Sequence, residues 1–346
     1  MKLEKSSFFD SFVRNINKNK SFTLTGLTSF SRLLLAKYIA SLSNKKVLFV
    51  TSTEQTALKY SVDLERLFGI NSEILTYQNT SSYETLQPNI YDYSKQVSTL
   101  LDSFDFVIAP VKVFTEKFPT RDFYEHNSLK LKLSDNISQK NLLDALVTLG
   151  YKRATMVTDI GEFSIRGDIA DIYTLSKNPV RIEFWGDEIV DIRYFNNETQ
   201  KSIEKIQNIA ILPLYKFVLP QNAPSEFSTK LHEQFNEEGY FEGVNVYQSY
   251  FNSELTNAFE YFKDYVVIFD EYAEISAKLN MITENNEKNY NEALKTGLIE
   301  PLKELNHFSE AEIIQQVASF QKIYLNNFLS DENTEVIDVD ARNLQI

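Results

Sequence analysis

The first residues whose types could do chemistry lie at 24–35, in a strand–turn–helix pattern where nucleotide-binding proteins place a phosphate loop. A working loop needs glycines whose backbone N–H groups face phosphate, a lysine for the β- and γ-phosphates and a hydroxyl for magnesium. Gly26 fits this pattern, but Arg32 occupies the lysine position, Leu33 occupies the hydroxyl position and bulky Phe30 lies mid-loop. The sequence therefore predicts a degenerate loop that does not bind nucleotide.

An acidic pair, Asp270-Glu271, directly follows the apolar run 265–269. One interpretation is the acidic pair that holds magnesium in nucleotide-binding proteins. The other is a pair of acids at a helix N-terminus, where the helix dipole favours negative charge. The sequence leaves both open.

The chain has few residues of the types that metal and thiol chemistry require. It contains no Cys, which excludes disulfides, thiol catalysis and Cys-based zinc sites. The three histidines, His126, His232 and His307, are too far apart to form a local metal motif. We predict no catalytic residue, no metal site and no cofactor. The absence of Cys fits a reducing cytoplasm, and the N-terminus lacks the apolar stretch of a signal peptide, so we predict a cytoplasmic protein without a membrane segment.

A second group of candidate residues lies on two adjacent strand patterns, 180–185 and 188–195. Alternation in a strand places every second side chain on one face. We predict a three-residue loop, 186–188, because that register buries the apolar side chains of both strands together, namely Val180, Ile182, Phe184, Val190, Ile192 and Tyr194. The opposite, exposed face then carries Arg181, Glu183, Trp185, Asp191 and Arg193, and Arg166 of a neighbouring strand joins them.

This exposed face has two interpretations. An exposed Trp flanked by Arg residues has the residue chemistry of a protein-interface hot spot. A solvated ladder of ion pairs, Arg181–Asp191 or Glu183–Arg193, would use the same residues and contribute only ~0–1 kcal/mol. The residues alone do not decide between them.

The elements that position these residues divide the 346-residue chain into three parts. Residues 1–120 alternate strand and helix signals, with buried-strand runs at 46–51 and 104–110, which predicts a parallel sheet covered by helices. Residues 121–215 predict a separate α+β domain with one helix, 138–149, and an antiparallel sheet. Residues 216–346 return to an α/β rhythm and end in an acidic stretch, 330–346, that we expect to fray. The fold class is thus α/β, a degenerate P-loop or helicase-like parallel-sheet domain with an inserted α+β domain.

Charge is spread unevenly over these parts. Residues 1–120 carry 14 Lys and Arg against 11 Asp and Glu, whereas residues 216–346 carry 9 against 23. The formal net charge of the whole chain is −13. Because nucleic-acid binding relies on clustered Lys and Arg, we predict little DNA binding by this chain on its own.

Residues 161–214 carry a specific family resemblance. Its ordered pieces are Gly161-Glu162-Phe163, Arg166-Gly167, Asp171-Ile172, Arg181-Ile182-Glu183-Phe184, Asp187-Glu188-Ile189 and Arg193. This stretch resembles the second domain shared by the nucleotide-excision-repair protein UvrB and the bacterial transcription-repair coupling factor (Mfd). The coupling factor is favoured because UvrB keeps an intact phosphate loop, and because 83–88 and 109–111 resemble the coupling factor's first domain. UvrB's tyrosine-rich DNA-clamping hairpin has no counterpart beyond Tyr91 and Tyr93.

The resemblance implies a function. The chain would be the N-terminal module of a longer protein, and it would recruit UvrA, the damage-recognition ATPase, to stalled RNA polymerase. By motif, Arg166 and Arg181 match the family's UvrA-contacting arginines, Trp185 matches an aromatic position and Arg193 is a weaker match. Contacts with RNA polymerase and DNA, and the use of ATP and Mg, would belong to other domains. The chain itself would not be an enzyme.

Two alternatives stay open at this point. The first is a UvrB-like helicase fragment that clamps DNA, which would need affinity for nucleotide and DNA. The second is an autoinhibitory domain whose exposed face is masked by an intramolecular contact with the motor. The second is compatible with UvrA recruitment, since one surface can be hidden and then released.

Overall fold

The computed structural model describes residues 16, 18, 21–43, 45–78, 83–84, 88–176, 178–327 and 335–338. The strands, numbered in chain order, are β1 (Phe22–Thr25), β2 (Lys46–Thr51), β3 (Glu73–Ile74), β4 (Phe106–Pro110), β5 (Phe118–Pro119), β6 (Leu129–Lys132), β7 (Lys152–Arg153), β8 (Glu162–Arg166), β9 (Ile169–Ile172), β10 (Val180–Trp185), β11 (Glu188–Phe195), β12 (Ser202–Lys205), β13 (Asn208–Ile211), β14 (Leu255–Thr256), β15 (Tyr265–Asp270), β16 (Lys322–Asn326) and β17 (Glu335–Asp338). The α-helices are α1 (Ser29–Ser43), α2 (Glu54–Phe68), α3 (Ile90–Leu101), α4 (Arg121–Asn127), α5 (Gln139–Thr148), α6 (Thr229–Glu238), α7 (Gln248–Phe251), α8 (Tyr272–Lys295) and α9 (Glu310–Val317).

A parallel sheet of seven strands forms the first unit, in the order β17, β1, β16, β15, β2, β4, β3. Its central strands are apolar runs because both faces are covered. Helices α1 and α2 pack on one face and α8 and α9 on the other, each with its own apolar core. Thr53 caps α2, since its hydroxyl oxygen accepts a hydrogen bond from the backbone N–H of Thr56 at 3.2 Å.

The edge strand β17 corrects one prediction. The prediction that 330–346 frays does not hold for Glu335–Asp338, which pairs in parallel with β1, and the rest of that stretch lies outside the described residues. A four-residue edge strand takes its stability from its neighbour, so its own sequence carries little signal.

The inserted unit is a six-stranded sheet in the order β12, β11, β10, β9, β8, β7. Its pairs are antiparallel except for β7 and β8, which run parallel. Its inner face shares an apolar core with α5 and with the β6–β13 pair. Helix α5 begins after Ser138, whose hydroxyl accepts from the N–H of Asn141. The predicted fold class, a parallel-sheet domain with an inserted α+β domain, is confirmed.

The structure also contains an aromatic core that the sequence patterns did not single out. It is built by α6, α7 and the end of α8, around Phe217, Phe227 and Phe235. The domain limits 1–120, 121–215 and 216–346 stay a proposal. Among the helices that the structure describes, none has the length and apolar character needed to cross a membrane.

Candidate functional site

The hairpin of β10 and β11 follows the predicted register over four residues and leaves it near the turn. Val180 pairs with Tyr194 and Ile182 with Ile192, but Phe184 pairs with Ile189, so Val190 is an extra residue in β11. One extra residue against one partner strand is a β-bulge. The predicted loop 186–188 is wrong, because Trp185 pairs with Glu188 and the turn is Gly186-Asp187.

The bulge exchanges the positions of two apolar side chains. Ile189 is 1% exposed and Val190 is 49% exposed, the reverse of the prediction for Val190. The reason is that one inserted residue shifts the period-two alternation of β11 between the bulge and the turn. Val190 is therefore an exposed apolar side chain of β11.

The outward face of this sheet carries the predicted candidates together with Asp171, and we call it the arginine face: Arg166, Asp171, Arg181, Glu183, Trp185, Asp191 and Arg193. Trp185 is 80% exposed, the highest value among the large apolar side chains that the structure describes. The Arg166 side chain is 54% exposed. Arg181 and Arg193 lie on the same face but are largely covered, at 15% and 16% exposure.

Asp171 is the centre of one half of the arginine face. Its side chain is 2% exposed, and its carboxylate accepts from Arg181 Nε at 2.6 Å and Arg181 Nη2 at 2.9 Å. Arg166 Nη2 donates to the same carboxylate at 3.1 Å. Fork-like pairs of this kind are the stronger class of charged hydrogen bond. The expected partner Asp191 is therefore wrong for Arg181, since the strand pairing places Asp171 directly across from it.

Arg193 is the centre of the other half. It donates to Glu183 and to Asp191, so the Glu183–Arg193 pair expected from the sequence is present. The hydrogen bond to Glu183 raises the pKa of Arg193 despite partial burial. Burial alone would raise the pKa of Asp191, but hydrogen bonds from Lys205 and Arg193 outweigh it and lower that pKa.

The degenerate loop is a closed site. Gly26 has φ +76°, a left-handed conformation that suits glycine at this turn. Leu33 is 1% exposed and packs in the core of the sheet unit, so it presents no group to a ligand. Arg32 is 4% exposed and points to the acidic pair rather than to solvent.

The guanidinium of Arg32 is occupied by protein groups. It donates to Asp270 and to Glu271, and its Nη2 also donates to Asn327 Oδ1 at 2.9 Å. The hydroxyl of Tyr60 donates to Asp270 at 2.8 Å. Burial raises the pKa of Asp270, while Arg32 opposes that rise. The positions of a phosphate-binding lysine and a magnesium-binding acid thus meet in an internal ion pair.

Two residues of these sites carried no role in the sequence interpretation. Asp171 belonged to the recognised motif, but its partners depend on which strands are neighbours. Tyr60 supports Asp270 from α2, and a single tyrosine in a helix carries no sequence signal for that contact. Among the described residues, no group of three or more His, Cys, Asp or Glu is arranged to hold a metal ion.

Comparison with known proteins gives this geometry a context. Residues 129–217, which include the arginine face, match the family model described as UvrB interaction domain. The transcription-repair-coupling factor of Bacillus subtilis is 31% identical over 63% of this chain and 19% of its own length. That of Staphylococcus aureus strain USA300 is 23% identical over 79% of this chain and 26% of its own length.

The chain therefore spans about a fifth to a quarter of the length of these curated relatives. A solved chain titled Truncated XPD aligns over 97% of this chain and 100% of its own, with 11% identity and a TM-score of 0.31. The sequence matches confirm the resemblance recognised in the sequence: this chain is similar to part of the bacterial transcription-repair coupling factor, and its residues 129–217 match the UvrB interaction domain.

Proposed function

We propose that this chain is a non-catalytic binding module that recruits UvrA through the arginine face, with Arg166, Arg181, Trp185 and Arg193 as contact residues. The observation that carries the proposal is Trp185, 80% exposed at the end of a strand whose outward face also carries Arg181. Tryptophan and arginine dominate interface hot spots because they combine large contact area with fixed hydrogen-bond donors. The match of 129–217 to an interaction domain supports this surface as the docking site.

The partner surface that fits the arginine face combines an apolar pocket with carboxylates. Trp185 and Val190 supply the apolar part, and Arg166 supplies an exposed guanidinium. A guanidinium binds carboxylate through paired N–H donors. We propose that UvrA presents this combination.

The biological setting is part of the same proposal. The parent protein would act on stalled RNA polymerase and on DNA through domains outside this chain, and this module would bring UvrA to the site. The occupied guanidinium of Arg32 supports a role without ATP, because a bound nucleotide would have to displace two carboxylates from it. A cytoplasmic location stays a prediction of the sequence.

The experiment is a binding titration of this chain with UvrA from the same organism. Trp185→Ala and Arg166→Ala should each weaken binding about 30-fold or more, because truncating a hot-spot residue costs ~2 kcal/mol or more. Leu67→Ala is the matched control, since Leu67 is 52% exposed on α2, in another unit. If Trp185→Ala and Arg166→Ala both bind like the wild-type chain, the arginine face is a solvated ladder and the proposal is wrong.

A further inference from the structure

A buried carboxylate on an otherwise open sheet face requires an explanation. Asp171 is 1% exposed, although it lies on the same face as Trp185. Strand pairing sets Ser164, Asp171 and Arg181 side by side across β8, β9 and β10. Burying an unpaired carboxylate is costly, so Asp171 persists here because Arg166 and Arg181 cover it and neutralise it.

Arg181 is fixed from three directions. Its Nε and Nη2 bind Asp171, its Nη2 also donates to Gln200 Oε1 at 3.0 Å, and its guanidinium carbon lies 4.5 Å from the centre of the Phe195 ring. A guanidinium held in this way keeps little rotamer freedom. An arginine that is already ordered loses less entropy when a partner binds.

The cluster retains donors for a partner. Two arginines share one carboxylate, which leaves one net positive charge. Within the described part of the chain, the Nη1 group of Arg181 and the Nε and Nη1 groups of Arg166 make no hydrogen bond. These groups can bind a carboxylate of a second protein without breaking the bonds to Asp171.

We infer that Asp171 is a positioning residue for docking: it holds Arg181 and Arg166 in the conformations that bind a partner carboxylate, without touching the partner. This inference rests on the proposed function, because it assigns to Asp171 the geometry of the UvrA-contacting arginines. It adds a residue whose contribution passes entirely through two others. The effect of substituting such a residue should disappear when the two arginines are already absent, and a mutant cycle measures this.

The test measures UvrA affinity for Asp171→Asn in two backgrounds. In the wild-type chain, Asp171→Asn should weaken binding about tenfold or more, because the charged pairs that order both arginines are lost. In the Arg166→Ala/Arg181→Ala background, the same change should alter affinity less than about twofold, since nothing remains to position. In the Trp185→Ala background, the tenfold effect should persist. A structural role would weaken binding alike in all three backgrounds, and that result overturns the inference.

Two controls keep the outcome decisive. Glu116→Gln neutralises another buried carboxylate, paired with Lys216 in a different unit, and should leave UvrA affinity unchanged. Gln200→Gly removes the second acceptor of Arg181 at a position with φ +58°, which glycine adopts without strain. It should weaken binding about two- to fivefold, by the loss of one hydrogen bond to a charged group.

If Asp171→Asn does not fold, Gln200→Gly decides, and wild-type affinity for it overturns the inference. Failure of the proposed function looks different. In that case Arg166→Ala and Trp185→Ala bind UvrA like the wild-type chain. If those two variants lose binding while Asp171→Asn keeps it, only the role of Asp171 is wrong.

Discussion

Two arginine–carboxylate clusters in this molecule use the same charged hydrogen bonds, but one is closed and the other is open to solvent. At the degenerate loop, one arginine, Arg32, lies between two carboxylates, and its side chain is 5% exposed. On the arginine face, one carboxylate, Asp171, lies between two arginines, and Arg166 stays 54% exposed. The first cluster closes a site on itself. The second leaves guanidinium donors available to another protein.

The difference teaches how to separate a structural ion pair from a docking surface. Pairing alone does not distinguish them, since both clusters are hydrogen-bonded. What differs is the ratio of donors to acceptors and the neighbouring side chains. Tyr60 closes the first cluster by donating to Asp270 and is itself buried, whereas Trp185 and Val190 of the inserted unit are exposed. Variants of the two clusters should therefore affect different observables.

The largest expected effect is on the stability of the closed cluster. Arg32→Ala leaves Asp270 and Glu271 without their cation, and breaking a buried pair from one side typically costs ~3–5 kcal/mol. Urea unfolding should show this loss, while UvrA affinity at a temperature where the variant is folded stays at the wild-type value. Lys59→Ala, at an exposed lysine of α2, is the control. Wild-type stability for Arg32→Ala would remove the distinction between the clusters.

Within the arginine face, Arg181→Ala and Arg166→Ala should differ in how much they destabilise the fold. Arg181→Ala removes the two-bond partner of buried Asp171, so we expect ~1–3 kcal/mol of destabilisation together with weaker UvrA binding. Arg166→Ala removes an exposed partner, so its stability loss should stay within ~0–1 kcal/mol. Thermal melting alongside the binding titration measures both quantities. Equal destabilisation by the two variants would contradict the geometry around Asp171.

Nucleotide titration probes the closed cluster from its ligand side. Calorimetry with magnesium-ATP should give no saturable signal, because Asp270 and Glu271 hold Arg32. In addition, Leu33 occupies the position where a hydroxyl side chain would bind magnesium. Arg32→Lys should not restore binding, since Leu33 and Phe30 remain. A saturable heat signal with micromolar affinity, in either form, would show that the loop still works.

The smallest effect is expected with DNA. At ~150 mM salt, fluorescence anisotropy with a short duplex should detect weak binding at most, since a chain of net charge −13 releases few counterions. The arginine variants should change this weak signal little. A submicromolar complex would instead favour the UvrB-like DNA-clamping alternative.

Strong local alternation made much of this fold predictable. The bounds of β2, β10 and β11 agree with the sequence patterns to the residue. The common face of Arg181 and Trp185 within β10 followed from the period of two alone. Short strands such as β5 and β17 escaped prediction because their pairing partners, and not their own residues, create them.

The sequence predicted which side chains of one strand share a face, but not which residues of neighbouring strands they contact. The partner of Arg181 depends on which strand lies beside β10, and that is a tertiary fact, so Asp171 was not assigned to it. The exposure of Val190 depends on a bulge, which breaks the alternation from which the prediction was made. The enclosure of Arg32 required the meeting of β15 and α1, although the sequence already showed that the loop was degenerate.

The most direct measurement uses the fact that Trp185 is the only tryptophan of the chain. A chain labelled with 5-fluorotryptophan gives a fluorine resonance from this one position, and unlabelled UvrA adds none. We expect the resonance to shift and broaden as UvrA is added, to saturate with the binding curve, and to stay unchanged with UvrA in the Arg166→Ala/Arg181→Ala variant. A UvrA complex that forms while the Trp185 resonance keeps its free position would contradict the account, because docking would then occur elsewhere on the molecule.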